Sequence, residues 1–198
     1  LLCIVAVGVG AFNGIRQASR AASANFGLFN EAVSGRSDFI IEAPAGGLDQ
    51  AMLDELAALA MAPDWHLLPV VEGSVAQTDR AGQAIRQLRV VGLDLIGVGN
   101  LPHFIEQGLA FSGGQGDANE WYDWIGVESG VWLSARLADA AGLARGDPLH
   151  YAFGGHVDVV AVAGVLGSGS AQLPEDLVIC DIVVAQHLLG KAAQLDRV

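Results

Sequence analysis

His150 and His156 lie close enough in the chain to suggest a metal ion held between two strands. Gly154-Gly155 separates them and is a good two-residue hairpin turn. Pairing across it sets Phe153 opposite His156 and Tyr151 opposite Asp158. His150 then shares a face with Ala152, Val157 and Val159, while His156 faces the other side. In that register they cannot chelate one ion, and they read as ordinary strand histidines. No metal is expected.

Asp117, Asn119, Asp123 and Glu128 fall at positions 1, 3, 7 and 12 of an EF-hand-like loop. Trp121 and Tyr122 occupy positions 5 and 6, where a ligand and a turn-forming glycine belong, so the match fails and a polar loop remains. Gly126-Val127-Glu128-Ser129-Gly130 resembles a nucleophile elbow with its serine one position late. No Walker motif occurs, so this chain does not itself hydrolyse ATP, and nothing marks it as an enzyme. One alternative is a dinucleotide-binding oxidoreductase of Rossmann type. It would use Gly8, Gly10 and Gly14 to seat a pyrophosphate at a helix N-terminus. The nearest acid in a following strand, Glu42, lies more than 30 residues on, where about 20 is usual. The strand–helix alternation of that fold is also missing. No cofactor is expected. The best candidate contact surface for a partner or lipid is aromatic: Phe104, Phe111, Trp121, Tyr122 and Trp124.

These residues need a scaffold, and composition bounds it. The chain has 198 residues, 52% of them hydrophobic, which suits one domain or two small subdomains with a full core. A formal charge of -12 argues against nucleic acid, whose phosphates require clustered Lys and Arg. Cys3 and Cys180 can form at most one disulfide. Both sit in apolar stretches and read as buried small hydrophobes that are not bonded to each other. No charged region precedes the first apolar run as in a cleavable signal peptide.

The run from Leu1 to Phe12 is uncharged and passes without a breaker into Ala-rich residues 16–26. Ala, Gln and Arg favour helix, so one continuous helix is expected from Leu1 to about Asn30. Its apolar part is too short to span a bilayer but fits the end of a span. Phe39–Ala43 reads as a short strand, and Leu48–Ala62 as a helix with Leu48, Met52, Leu53, Leu56, Leu59 and Ala60 on one face. Trp65–Val75 contains Pro69 and reads as an edge strand. Ala84–Leu95 is a strand with Ile85, Leu88, Val90 and Val91 as its apolar positions. Residues 97–116 are loop-like. Residues 126–133 read as a strand and Ser134–Ala141 as a helix closed by Gly142. After the hairpin come a buried strand, Leu177–Ile182, and a helix, Val184–Leu189, ending at Gly190.

Taken in order, several segments carry a family resemblance. They are Arg20-Ala21-Ala22 leading to Gly35-Arg36-Ser37-Asp38-Phe39, then Leu88-Arg89-Val90-Val91-Gly92-Leu93-Asp94, then Ala141-Gly142-Leu143-Ala144-Arg145-Gly146-Asp147. Asp181-Ile182-Val183-Val184-Ala185-Gln186-His187-Leu188-Leu189-Gly190 and Leu195-Asp196-Arg197-Val198 complete the series. Together they resemble the MacB-like periplasmic core domain of FtsX/LolC-type ABC transporter permeases. The resemblance implies an α+β fold, a porter-like α/β subdomain with an inserted β-rich subdomain, preceded by a long N-terminal stalk helix. The divisions would be 1–35 (end of a transmembrane helix and stalk), 36–96 (first half of the porter-like subdomain), 97–174 (insertion) and 175–198 (return). The family also places a second half of the porter-like subdomain and a returning stalk after a Leu-Asp-Arg-like segment.

Function follows by the same implication. The domain would stand on the periplasmic, extracytoplasmic side of the cell (inner) membrane. It would contact a permease partner and a lipid, lipoprotein, peptide or protein substrate, or transmit force. A separate ATP-binding subunit would supply the energy. Water exposure of the Leu1–Phe12 segment, together with an open sheet edge left by a missing half-sheet, predicts self-association.

Overall fold

The computed structural model describes residues 39–43, 47–59, 66–95, 111–112, 130–166 and 173–198, with backbone alone at 111–112. The chain divides into two compact units, Leu1–Arg36 and Ser37–Val198, and all described residues belong to the second. The expected helix from Leu1 to Asn30 lies outside them. No helix among the described residues is long and apolar enough to cross a membrane.

In chain order the elements are β1 (Leu48–Asp49), α1 (Met52–Leu59), β2 (Val70–Thr78), β3 (Ala84–Leu93), β4 (Phe111–Ser112) and β5 (Gly130–Ser134). They continue with α2 (Ala135–Ala141), β6 (Pro148–Phe153), β7 (His156–Leu166), β8 (Leu177–Asp181), α3 (Ile182–Leu188) and β9 (Gln194–Leu195). Among the described residues the fold is mixed α/β, rich in strands and poor in helix.

The long strands pair in a closed ring. β2 and β3 form an antiparallel hairpin whose turn is set by Asp79, its Oδ1 accepting from the Ala81 and Gln83 N–H groups. β3 lies parallel to β8, β8 antiparallel to β5, and β5 parallel to β7. β7 folds back on β6, which returns to β2 through Ala76↔Ala152 and Gln77↔Tyr151. β4 joins β7 alongside the ring. Strands from 130–166 therefore share one sheet with those from 70–93 and 177–181. The open edge expected of a half-sheet is not present in this ring, because β6 closes it. One of the two grounds for self-association is thereby removed, and the other, Leu1–Phe12, lies outside the described residues.

One face of the sheet carries Val71, Val75, Leu88, Val90, Val131, Leu133, Val178 and Cys180, all buried in one core with α2 and α3. Ser134 starts α2 by accepting from the Leu137 N–H at 3.2 Å, and Gly142 ends it in the left-handed conformation, φ 63°. Asp181 caps α3 by accepting from the Val183 N–H at 3.0 Å. That helix lies close against β3 because residue 92 is glycine. A Cβ there would overlap the Ala185 Cβ and sit 3.3 Å from the Ile182 Cα. Alternate residues Val91, Leu93, Leu177, Ile179 and Trp132, on the opposite face by period-2 alternation, are buried as well.

The hairpin register matches the pairing deduced from Gly154-Gly155, residue for residue. One local expectation holds and three need correction. The stretch expected as an edge strand enters β2 at Val70, and up to Val75 it is paired by β3 on one side and by no β6 residue on the other, as an edge is; Pro69 precedes the ladder and so costs it no hydrogen bond. Phe39–Ala43 is no strand but a single bridge, Glu42↔Arg197. The helix begins at Met52, not Leu48, since Leu48 and Asp49 pair with β9. Its residues Met52 and Leu59 are exposed, and so is Ile85 on β3.

Candidate functional site

The β2 strand has an unusual outer edge. Toward β3 it is paired throughout, but β6 reaches only Ala76 and Gln77 on the other side. The N–H and C=O groups nearer its start need other partners, because an unpaired strand edge is both costly and adhesive. The last eight residues, 191–198, supply them. Val70 donates its N–H to the Arg197 carbonyl at 2.9 Å and accepts from the Asp196 N–H at 2.9 Å.

Two residues further along, side chains replace the backbone of a neighbouring strand. Asp196 Oδ2 accepts the Glu72 N–H at 2.7 Å, and Lys191 Nζ donates to the Glu72 carbonyl at 2.8 Å. Lys191 and Asp196 also hold each other, at 2.6 and 2.8 Å to the two carboxylate oxygens. Both are only partly exposed, at 30% and 27% of the side chain, so their attraction is less screened than that of a surface pair. Charge-assisted bonds of this kind are about twice as strong as neutral ones.

The Glu72 side chain completes the cluster. Its Oε2 is buried without a hydrogen bond and faces Arg197 Nη2 at 3.6 Å. Burial is the largest influence and lifts this carboxyl above the ordinary glutamate range; Arg197 opposes that, Asp196 and Glu42 add to it, and Lys191 again opposes it.

The same strap is joined to residues near the start of the second unit. Ile41 donates to the Val198 carbonyl at 2.8 Å, and Val198 donates back to the Ile41 carbonyl at 3.0 Å. Leu48 and Asp49 pair with Leu195 and Gln194, and Leu195 is fully buried. Ile41, near the start of the second unit, and Val198 therefore lie side by side at one root of the fold. The β2–β3 turn stands at the far end of the same hairpin.

The residues expected to carry contacts lie largely elsewhere. Phe104, Trp121, Tyr122 and Trp124 are outside the described residues, and of Phe111 only the backbone is described, paired with Leu166 in β4. The failed calcium loop, the late serine and Gly8, Gly10 and Gly14 are outside them too. The described strands pair mostly antiparallel, with β3–β8 and β5–β7 the two parallel pairs. His150 and His156 stand on opposite faces, as their register requires. Among the described residues no three His, Cys, Asp or Glu side chains form a metal-binding group. Cys180 is a free thiol, fully buried, and burial pushes its pKa far up, so it is inert as a nucleophile. Sequence reasoning passed over Glu72, Lys191, Asp196 and Arg197 as a site. Their one signal is a mixed-charge cluster, Lys191 to Arg197, immediately after an apolar helix.

No protein-family model matches the chain, and no curated protein does. Among solved structures it is similar to the extracellular domain of the noncanonic ABC-type transporter YknZ from Gram-positive bacteria. Identity there is 12%, over 80% of this chain and 79% of that one, with a TM-score of 0.49.

Proposed function

We propose that this chain is the extracytoplasmic domain of an ABC transporter permease of the MacB-like, FtsX/LolC type. It would be mounted on the membrane by its root and coupled to a separate ATP-binding subunit. The observation that carries this reading is the pairing of Ile41 with Val198 at that root. A domain held from both ends by a stalk needs that geometry. The ordered segments from Arg20 to Val198 that resemble the family support it independently. In this reading 36–96 and 175–198 are the porter-like part and 97–174 the insertion. Phe104, Phe111, Trp121, Tyr122 and Trp124 would contact a lipid, lipoprotein or protein substrate or a permease partner. The domain works by binding and transmitting motion, without bond chemistry of its own.

Labelling in whole cells tests it. Arg80→Cys places a thiol in the exposed β2–β3 turn of the intact protein, with Cys3 and other accessible cysteines replaced. A membrane-impermeant maleimide should label it before lysis, and an ATP-binding subunit should co-purify. Labelling only after lysis would overturn the reading, as would saturable quenching of NAD(P)H fluorescence by the purified protein.

A further inference from the structure

We infer that residues 191–198 form a releasable strap, locked onto the edge of β2 by the Lys191–Asp196 pair gripping the Glu72 main chain. The inference rests on this geometry alone and stands whether or not the domain belongs to a transporter.

The argument starts from what holds each part. A β8 residue is paired on both sides and buried under a helix, so releasing it requires the ring to open. The strap has one fully buried apolar anchor, Leu195, and a two-residue pairing with β1. Val198 packs partly buried against the core, and the rest of the hold is polar: main-chain bonds to Ile41 and Val70, and the two side chains on Glu72. Segments with few buried apolar contacts open locally at a fraction of the global unfolding free energy. The strap can therefore leave while the six-stranded ring stays shut.

Release has a defined consequence. It bares the N–H and C=O of Val70 and Glu72 on one edge and frees Ile41 from Val198, so the root opens. A backbone hinge is in place at the start of the strap. Gly190 has φ 61°, open to glycine at no steric cost, and Ala193 is held at φ 54°, a conformation a non-glycine residue adopts only when its surroundings impose it. Detachment lets Ala193 relax.

The lock is specific because it acts on main chain. Lys191 and Asp196 are 119 and 124 residues from Glu72 in sequence, yet they meet both polar groups of that one peptide position. Exchanging Lys191 for Met keeps the aliphatic stem and removes the grip. It also leaves Asp196 without its cation.

Amide hydrogen exchange on the complete chain tests this. In the unaltered protein the Ile41, Val70, Glu72 and Val198 amides should exchange at least about 100-fold faster than those of β3 and β8, through openings insensitive to low denaturant. Lys191→Met should speed these four amides by roughly another tenfold, the equivalent of one charge-assisted hydrogen bond, and leave β3 and β8 unchanged. Equal protection of strap and ring in the unaltered protein would overturn the inference, and that measurement needs no variant to fold. An unchanged strap in Lys191→Met, or equal acceleration of strap and ring, would overturn the assignment of the lock.

Discussion

Residues 177–181 and residues 191–198 are neighbours in the chain and opposite in how they are held. In β8, Leu177, Val178, Ile179 and Cys180 are all within 1% of complete burial, and each strand flank is paired. In the strap Leu195 is the one apolar side chain buried to that depth, and main-chain bonds together with the Lys191 and Asp196 side chains on Glu72 supply most of the remaining hold. Apolar burial gives non-directional stability, roughly proportional to area. Charge-assisted bonds give less net stability per group but fix position and can be undone locally. A domain built this way keeps a rigid ring and confines adjustability to the root, where Ile41 and Val198 meet.

The largest way to break the comparison is on the ring side. Gly92→Val drives two methyl groups into Ala185 and the Ile182 backbone, and neither can move without lifting α3. Overpacking of this kind is expected to cost about 3 kcal/mol of global stability in urea unfolding of the intact chain. Every ring amide should lose protection together. A loss under about 0.5 kcal/mol would mean that α3 is not seated on β3 as described.

A smaller and more confined effect is expected in the strap. Leu195→Ala removes its anchor, and the cost should stay near 2 kcal/mol, the low end for a buried leucine, because the strap can detach instead of enclosing a cavity. Exchange should rise at Ile41 and Val198 and not in β8. If β8 amides accelerate equally, strap and ring are one cooperative unit.

The smallest expected effect carries the sharpest sign. Burial raises the folded-state pKa of Glu72 above its ordinary 4.5. A carboxyl raised in the folded state contributes stability that is complete below 4.5 and is lost as pH rises through the folded value. At neutral pH its charge is therefore a burden, despite Arg197. Glu72→Gln keeps the main-chain N–H and C=O that the lock uses, so it should stabilise slightly at pH 7. The gain should vanish below pH 4.5. Stability curves against pH for the two proteins decide it, and a loss at pH 7 would show that the Arg197 pairing outweighs burial.

Local features were legible in the sequence because their causes are local. Gly154-Gly155 fixed the hairpin register, Ser134 and Gly142 bounded α2, and an unbroken apolar run marked β8. The strap was not legible. Its lock depends on residues more than 100 apart, and no periodicity records which strand edge goes uncovered. Pro69 pointed to an edge, and residues 70–75 of β2 have no β6 partner; the proline itself stands one residue before the strand, where it forbids no ladder bond. Leu48 shares the helical spacing of Met52 and Leu56, yet pairing with β9 won over helix propensity at that end.

The most direct measurement of the central claim is a disulfide between positions 41 and 198. Ile41 and Val198 exchange both main-chain bonds, a pairing that sets Cα atoms about 5.5 Å apart and within disulfide reach. Ile41→Cys with Val198→Cys, in a Cys3→Ser background, should close within the monomer under mild oxidation. Cys180 should remain a free thiol, detectable only after denaturation. Two unbonded thiols at 41 and 198, or bonds formed only between chains, would contradict a root at which Ile41 and Val198 meet.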